Sequence, residues 1–235
     1  MPMPHNIVPG ERNEEDLRLR DAYLMGEHLP KGAAIRKGLA SLLRDPWLMV
    51  IRQMPGPLGF VLRQRYYRRR LGHMGKGVVI DPGVSFENPR NVYIDDLAYL
   101  GAPARLVCPE GYIKIGKRCH LSGWILGHEG VEIGNYVASG AIILSITDSH
   151  RGGHRMCGPM VPTSHRHFVR GKVTVENEAF LGQYSIIMPG VTIGEGAIVG
   201  PHSLVVRNVK PWTVVMGSPA RTVGTRERVK MPDLS

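Results

Sequence analysis

A chain of 235 residues with 43% hydrophobic side chains can bury one sizeable core, as one large domain or a domain with an extension. Aromatics make up only 6% while Gly (29) and Pro (18) are abundant, which favours many tight corners over bulky layers. Three cysteines without metal-type spacing argue against a disulfide framework, no run of 18 apolar residues exists to span a membrane, and the net charge of +10 points to an anionic partner.

In chain order, residues 1–76 read as a helical, basic extension. Residues 1–20 lack the apolar region of a secretory leader, so a cytoplasmic location is expected. Residues 11–28 predict a short polar helix. Residues 33–51 and 58–71 predict amphipathic helices, with Pro55 and Pro57 breaking between them. Residues 28–76 hold eleven Lys/Arg against one acid, Asp45, including five arginines and two tyrosines between Arg63 and Arg70. Two readings stand side by side: the helices cap the open end of whatever follows, or they lie on an anionic membrane. Nucleic-acid binding is disfavoured, because few aromatics are interleaved with the basic residues.

The remainder repeats every six residues. Val175, Leu181, Ile187, Ile193, Val199 and Val205 are aliphatic, and small or β-branched residues stand two places before each: Val173, Ala179, Ser185, Val191, Ala197 and Ser203. The upstream block keeps the phase with Ile115, Leu121, Ile133, Ser139 and Ser145, preceded by Ile113, Cys119, Ile125, Val131, Val137 and Ile143. Ile80, Phe86, Ile94, Leu100 and Leu106 repeat with shifted phase, which implies irregular corners near 87–93 and 107–114. Period six fits neither a helix nor a long alternating strand. It fits a short strand and a turn, three of which make one triangular coil of a parallel β-helix.

Between Ser145 and Val173 the hexads stop, and a polar insertion over 148–172 carries His150, His154, His165 and His167. So long a loop within a regular solenoid suggests function.

With "GQYSIIMPGVTIGEGAIVGPHSLVVRNVKPWTVVMGSPARTV" and "VEIGNYVASGAIILSITDSH", the sequence resembles the hexapeptide-repeat acyltransferases, of the sugar or polysaccharide O-acetyltransferase type. The resemblance covers roughly residues 78–225. It implies an all-β solenoid: a left-handed parallel β-helix over 77–225 with an α-helical N-terminal extension and a C-terminal tail over 226–235. It further implies a homotrimer with active sites between subunits and acetyl-CoA as co-substrate. It places the catalytic histidine at His150, as general base, with Asp148 as a candidate to orient it. His154 and His120 are candidate acceptor contacts; at 120 the family usually has asparagine. Trp124 could stack on a sugar ring. Coenzyme A is expected along Gly182, Gln183, Pro201, Val206 and Gly224, with Arg221, then Arg207, meeting its phosphates. Position 180 is Phe where Trp is common. Cys119 falls on an inward position and reads as inert, so direct transfer in a ternary complex is expected over an acyl-enzyme.

The expected activity is acetyl transfer to a carbohydrate hydroxyl, on a surface polysaccharide or lipid-linked glycan. The alternative is N-transfer to a nucleotide-linked amino sugar. A γ-type carbonic anhydrase is more remote, since His128, His150 and His154 do not reproduce its zinc-ligand spacing; no metal is expected. A scaffold without activity is the remaining reading.

Overall fold

The computed structural model describes residues 46–148 and 167–228, together with Ala22. Apart from Ala22, the helix predicted over 11–28 and the first part of that over 33–51 lie outside the described residues.

Two short helices open the described chain, α1 (Pro46–Gln53) and α2 (Gly56–Arg68). Met54 and Pro55 separate them, with Pro55 as the extended N-cap residue of α2 (φ −78°, ψ 173°). Pro57, expected to break the chain too, instead falls in the first turn of α2, where a missing N–H is tolerated.

The face of α2 formed by Gly59, Arg63 and Tyr67, spaced four apart, is buried. Tyr67 packs on Phe86 with ring centroids 4.7 Å apart. Arg63 is only 3% exposed. Its Nε donates to the Ile80 carbonyl at 2.9 Å, and Nη1 to the carbonyls of Met54 (2.5 Å) and Ile51 (3.3 Å). The last two lie at the end of α1, where carbonyls carry partial negative charge. Arg63, one of the basic run, is therefore a packing residue that ties both helices to the first coil.

The solenoid begins before residue 77, because His73–Met74 already pairs in parallel with Tyr93–Ile94. Three parallel sheets form its faces. The first stacks His73–Met74, Val92–Ile94, Ile113–Ile115, Val131–Ile133, Val173–Val175 and Thr192–Ile193. The second runs from Val79–Ile80 through Tyr99–Leu100, His120–Leu121, Ala138–Ser139 and Phe180–Leu181 to Ile198–Val199. The third stacks Ser85–Glu87, Arg105–Val107, Trp124–Leu126, Ile142–Leu144, Ile186–Ile187 and Leu204–Val205. This is the left-handed parallel β-helix, of about six turns.

Regular coils place partners 18 residues apart, as in Ile115 with Ile133 and Leu181 with Val199. Those side chains point inward and are at most 4% exposed, so each coil buries its aliphatic set on those of its neighbours. On the third face the hexad count needs correction. Ile125 and Ile143 lie two places ahead of the aliphatic set by count, yet they pair in register with Leu106 and Ile187. The corner before each is two residues short, and the corner after restores the phase. Gly123 (φ +123°) makes one of these tight corners, in backbone that side chains avoid.

At the C-terminal end, Thr213–Gly217 adds to the second face and folds back antiparallel on Ala220–Thr225. Ordered contacts continue past 225. The Arg226 amide donates to the Trp212 carbonyl at 2.7 Å, and its Nη1 to the Glu178 carbonyl at 2.9 Å.

Candidate active site

The insertion has a built neck. Ile146–Asp148 pairs antiparallel with Phe168–Arg170, so the excursion starts two residues before 148 and closes two before 172. The Gly171 amide donates to the Ser145 carbonyl at 3.0 Å. The Ser145 hydroxyl, fully buried, donates to the Leu126 carbonyl (2.7 Å) and accepts the Glu129 amide (3.0 Å). Arg170 Nη1 reaches Glu129 (2.7 Å) and Glu110 (3.2 Å), one from each of the two preceding coils. Lys172 pairs with Glu132 at 2.8 Å, and the Tyr112 hydroxyl donates to the same carboxylate at 2.8 Å.

His128 lies in this neck, with its Nδ1 buried and unpartnered. Burial lowers its pKa, opposed by Glu110 and assisted by Arg170. Asp148 contributes its backbone to the neck; its side chain, and His150, His154 and His165, lie outside the described residues. His167 is exposed beside the returning strand.

A second group collects along the edge between the second and third faces. His120 is exposed on the second face, edge-on to Tyr99 with centroids 4.7 Å apart. The Tyr99 hydroxyl in turn donates to Asp81 at 2.5 Å. Trp124, 49% exposed, opens the third face across the short Gly123 corner, with the Arg105 guanidinium 5.8 Å from its ring. Later corners of the same edge hold Gly182, Gln183 and Pro201. A Cβ on Gly182 would stand 2.6 Å from the Pro201 nitrogen, so the two coils approach through bare backbone. Tyr184 and His202 stack at this edge, with centroids 5.4 Å apart. Sequence reasoning missed both, although two aromatic rings 18 places apart at the corner of a hexad repeat are a usable signal.

The third group lines a cleft of about 460 Å³ between the last third-face strand and the C-terminal hairpin. Val206, Arg207 and Arg221 border it, joined by Lys210, which sequence reasoning missed. The predicted coenzyme A residues therefore divide: Gly182, Gln183 and Pro201 on the edge, and Val206, Arg207 and Arg221 in the cleft. Gly224 is paired with Val214 in the hairpin and is not among the residues that line the cleft.

The thiols are poor nucleophiles. Burial pushes Cys108 up to about 12 and Cys119 up to about 11, so both are protonated at neutral pH. Among the described residues no group of three His, Cys, Asp or Glu is placed to hold a metal ion.

The bacterial transferase hexapeptide motif (six repeats) matches residues 172–207, the two coils after the insertion. The chain is 28% identical over 160 residues to a chloramphenicol acetyltransferase of Agrobacterium fabrum, covering 54% of this chain and 77% of that one. It is 29% identical over 141 residues to the dTDP-4-amino-4,6-dideoxy-D-glucose acyltransferase of Escherichia coli, covering 59% and 70%. Among solved structures, AntD, an N-acyltransferase from Bacillus cereus in complex with dTDP and coenzyme A, superposes with a TM-score of 0.65 at 27% identity. That match covers 72% of this chain and 91% of AntD. By repeat, fold and relatives the chain is an acyltransferase similar to the hexapeptide-repeat family.

Proposed function

We propose that the protein transfers an acetyl group from acetyl-CoA to a hydroxyl of a saccharide, on a surface polysaccharide precursor or a lipid-linked glycan. The observation that carries the saccharide is Trp124: a half-exposed indole across the Gly123 corner from His120, on the same edge as the bare-backbone corner at Gly182. An exposed ring is a stacking platform for a sugar, and an exposed imidazole on the same edge can hydrogen-bond a hydroxyl. Pantetheine would lie along Gly182, Gln183 and Pro201, and Arg207 and Arg221 would meet the phosphates, where planar guanidinium gives paired hydrogen bonds.

His150 is the general base. It takes the acceptor proton as oxygen attacks the thioester carbonyl; the tetrahedral intermediate then expels the thiolate, which receives that proton from His150 and leaves as free coenzyme A. A pKa near ~6.5 leaves imidazole mostly neutral in the cell and ready to act. Asp148 orients His150, and His154 contacts the acceptor. No acyl-enzyme is needed, in keeping with the protonated cysteines.

The neck follows the third face, whereas His120 and Trp124 flank the corner before it. A site that uses both groups draws them from different edges of the prism, and thus from two copies in a homotrimer. The enzyme works in the cytoplasm, with a lipid-linked acceptor presented at the membrane's inner face.

A second reading is N-transfer to a nucleotide-linked amino sugar. It is favoured by the two relatives whose names carry a dTDP-amino sugar or dTDP. The discriminating experiment offers acetyl-CoA with nucleotide amino sugars and lipid-linked glycans in parallel, reads products by mass, and treats them with mild alkali. The O-transfer reading expects alkali-labile esters on glycans; an alkali-stable amide on the nucleotide sugar selects the second reading.

A further inference from the structure

We infer that α2 carries a lipid-contacting stripe that holds the enzyme against an anionic membrane surface. The geometry is that of one helix with two committed sides. Gly59, Arg63 and Tyr67 face the first coil. At about 100° per residue, the opposite side is formed by Leu58, Val61, Leu62 and Arg65, with the C-cap residue Arg69 just past the last turn. Along that side the first two turns are apolar and the last is cationic. Leu58 is 64% and Val61 57% exposed, and Arg65 and Arg69 are exposed as well. Nearby on α1, Met49 is 75% exposed. Single exposed aliphatics need no explanation, but several on the outer side of a short helix pair, beside exposed guanidinium groups, do.

The arrangement fits a headgroup boundary, with aliphatic side chains reaching toward acyl chains and arginines on lipid phosphates. Residues 28–76 carry eleven Lys/Arg against one acid, so the charge complements an anionic surface. No described helix is long and apolar enough to cross a membrane, which makes the contact one of lying on the surface. Two other occupants fit less well. A nucleic acid would use the arginines and leave Leu58 and Val61 in water. A second copy docked on the same stripe about a two-fold axis would set the arginines against arginines or against the apolar turns, and neither partner neutralises them.

This extends the lipid-linked reading of the acceptor, but the test reads binding without acyl transfer, so the two can fail separately. Full-length protein is sedimented with vesicles of phosphatidylcholine containing about a third phosphatidylglycerol, and with phosphatidylcholine alone. The expected result is binding to the first only, weakened by salt. L58E/V61E and R65E/R69E should each cut it about tenfold or more, with unchanged circular dichroism and elution volume. No sedimentation, equal binding to neutral vesicles, or two unimpaired double variants would overturn the proposal. So would tighter capture by a short RNA than by the vesicles, or a change of elution volume in L58E/V61E, which would assign the stripe to a second copy.

Discussion

Gly171 donates its amide to the carbonyl of Ser145 at 3.0 Å, so the chain leaves the solenoid and rejoins it at one point. That hydrogen bond lets a long excursion be inserted without disturbing the coils on either side: Ile133 pairs with Val175, 42 residues on, as regularly as Ile115 pairs with Ile133. The neck itself is fixed to the prism as far as the paired Asp148 and Phe168.

Ser145 should be costly to change. Its buried hydroxyl serves Leu126 and Glu129 at once. Ser145→Ala leaves both backbone groups without that partner and should destabilise by about 1–3 kcal/mol, read as a lower denaturation midpoint. An unchanged midpoint would mean that the neck does not depend on this hydroxyl.

Two glycines should behave oppositely. A Cβ on Gly182 meets the backbone of Pro201 and Gly200 at 2.6–2.9 Å, and backbone between stacked coils cannot give way cheaply. Gly182→Ala should cost about 1–3 kcal/mol. Gly224 has nothing within 4 Å of such an atom, so Gly224→Ala should stay within about 0.5 kcal/mol. Equal effects in the same denaturation assay would contradict the close approach of the coils.

Acid should weaken the neck through two groups. Burial lowers the His128 pKa below its ordinary value near 6.5. Burial alone would raise Glu132, but hydrogen bonds from Lys172 and Tyr112 and the nearby lysine charges win, leaving it below 4.5. In both cases the folded pKa lies under the unfolded one. The stability is therefore complete above the unfolded value and is lost as pH falls through the folded value. His128→Gln should flatten the decline just below pH 6.5 and leave the more acidic limb, which belongs to Glu132. Denaturation midpoints measured across pH would show it; an unchanged upper limb would remove His128 from the account.

Arg63→Ala should detach α2 from the first coil. It strips charged donors from the carbonyls of Ile80, Met54 and Ile51, and such hydrogen bonds are worth about 1.5–3 kcal/mol each. Faster proteolysis within residues 55–70 is the expected readout, and wild-type resistance would contradict the packing role.

The repeat was legible because each coil must bury an aliphatic residue at the same place, so Val175, Ile193 and their kin recur without a break. The third-face shift was not legible. Ile125 and Ile143 are aliphatic where the in-phase places two further on hold Gly127 and Ser145, but a six-residue count cannot show a corner shortened by two residues, and only the pairing does. Arg63 looked like one more surface arginine, because nothing in a basic run marks the member that turns inward. The neck ion pairs join Arg170 to Glu110 and Glu129, 60 and 41 positions earlier, and sequence spacing carries no trace of such contacts. Gln183 and His120 were found by resemblance and Trp124 by its nearness to His120 in sequence, and their shared edge emerged from the coil register.

The central claim is acyl transfer with His150 as base, and its most direct test is coenzyme A release by wild type and His150→Ala in the presence of an acceptor taken from the product screen. The account predicts a folded variant with wild-type oligomeric state and turnover reduced by about a hundredfold or more. Near-normal turnover by His150→Ala would place the base elsewhere and contradict it.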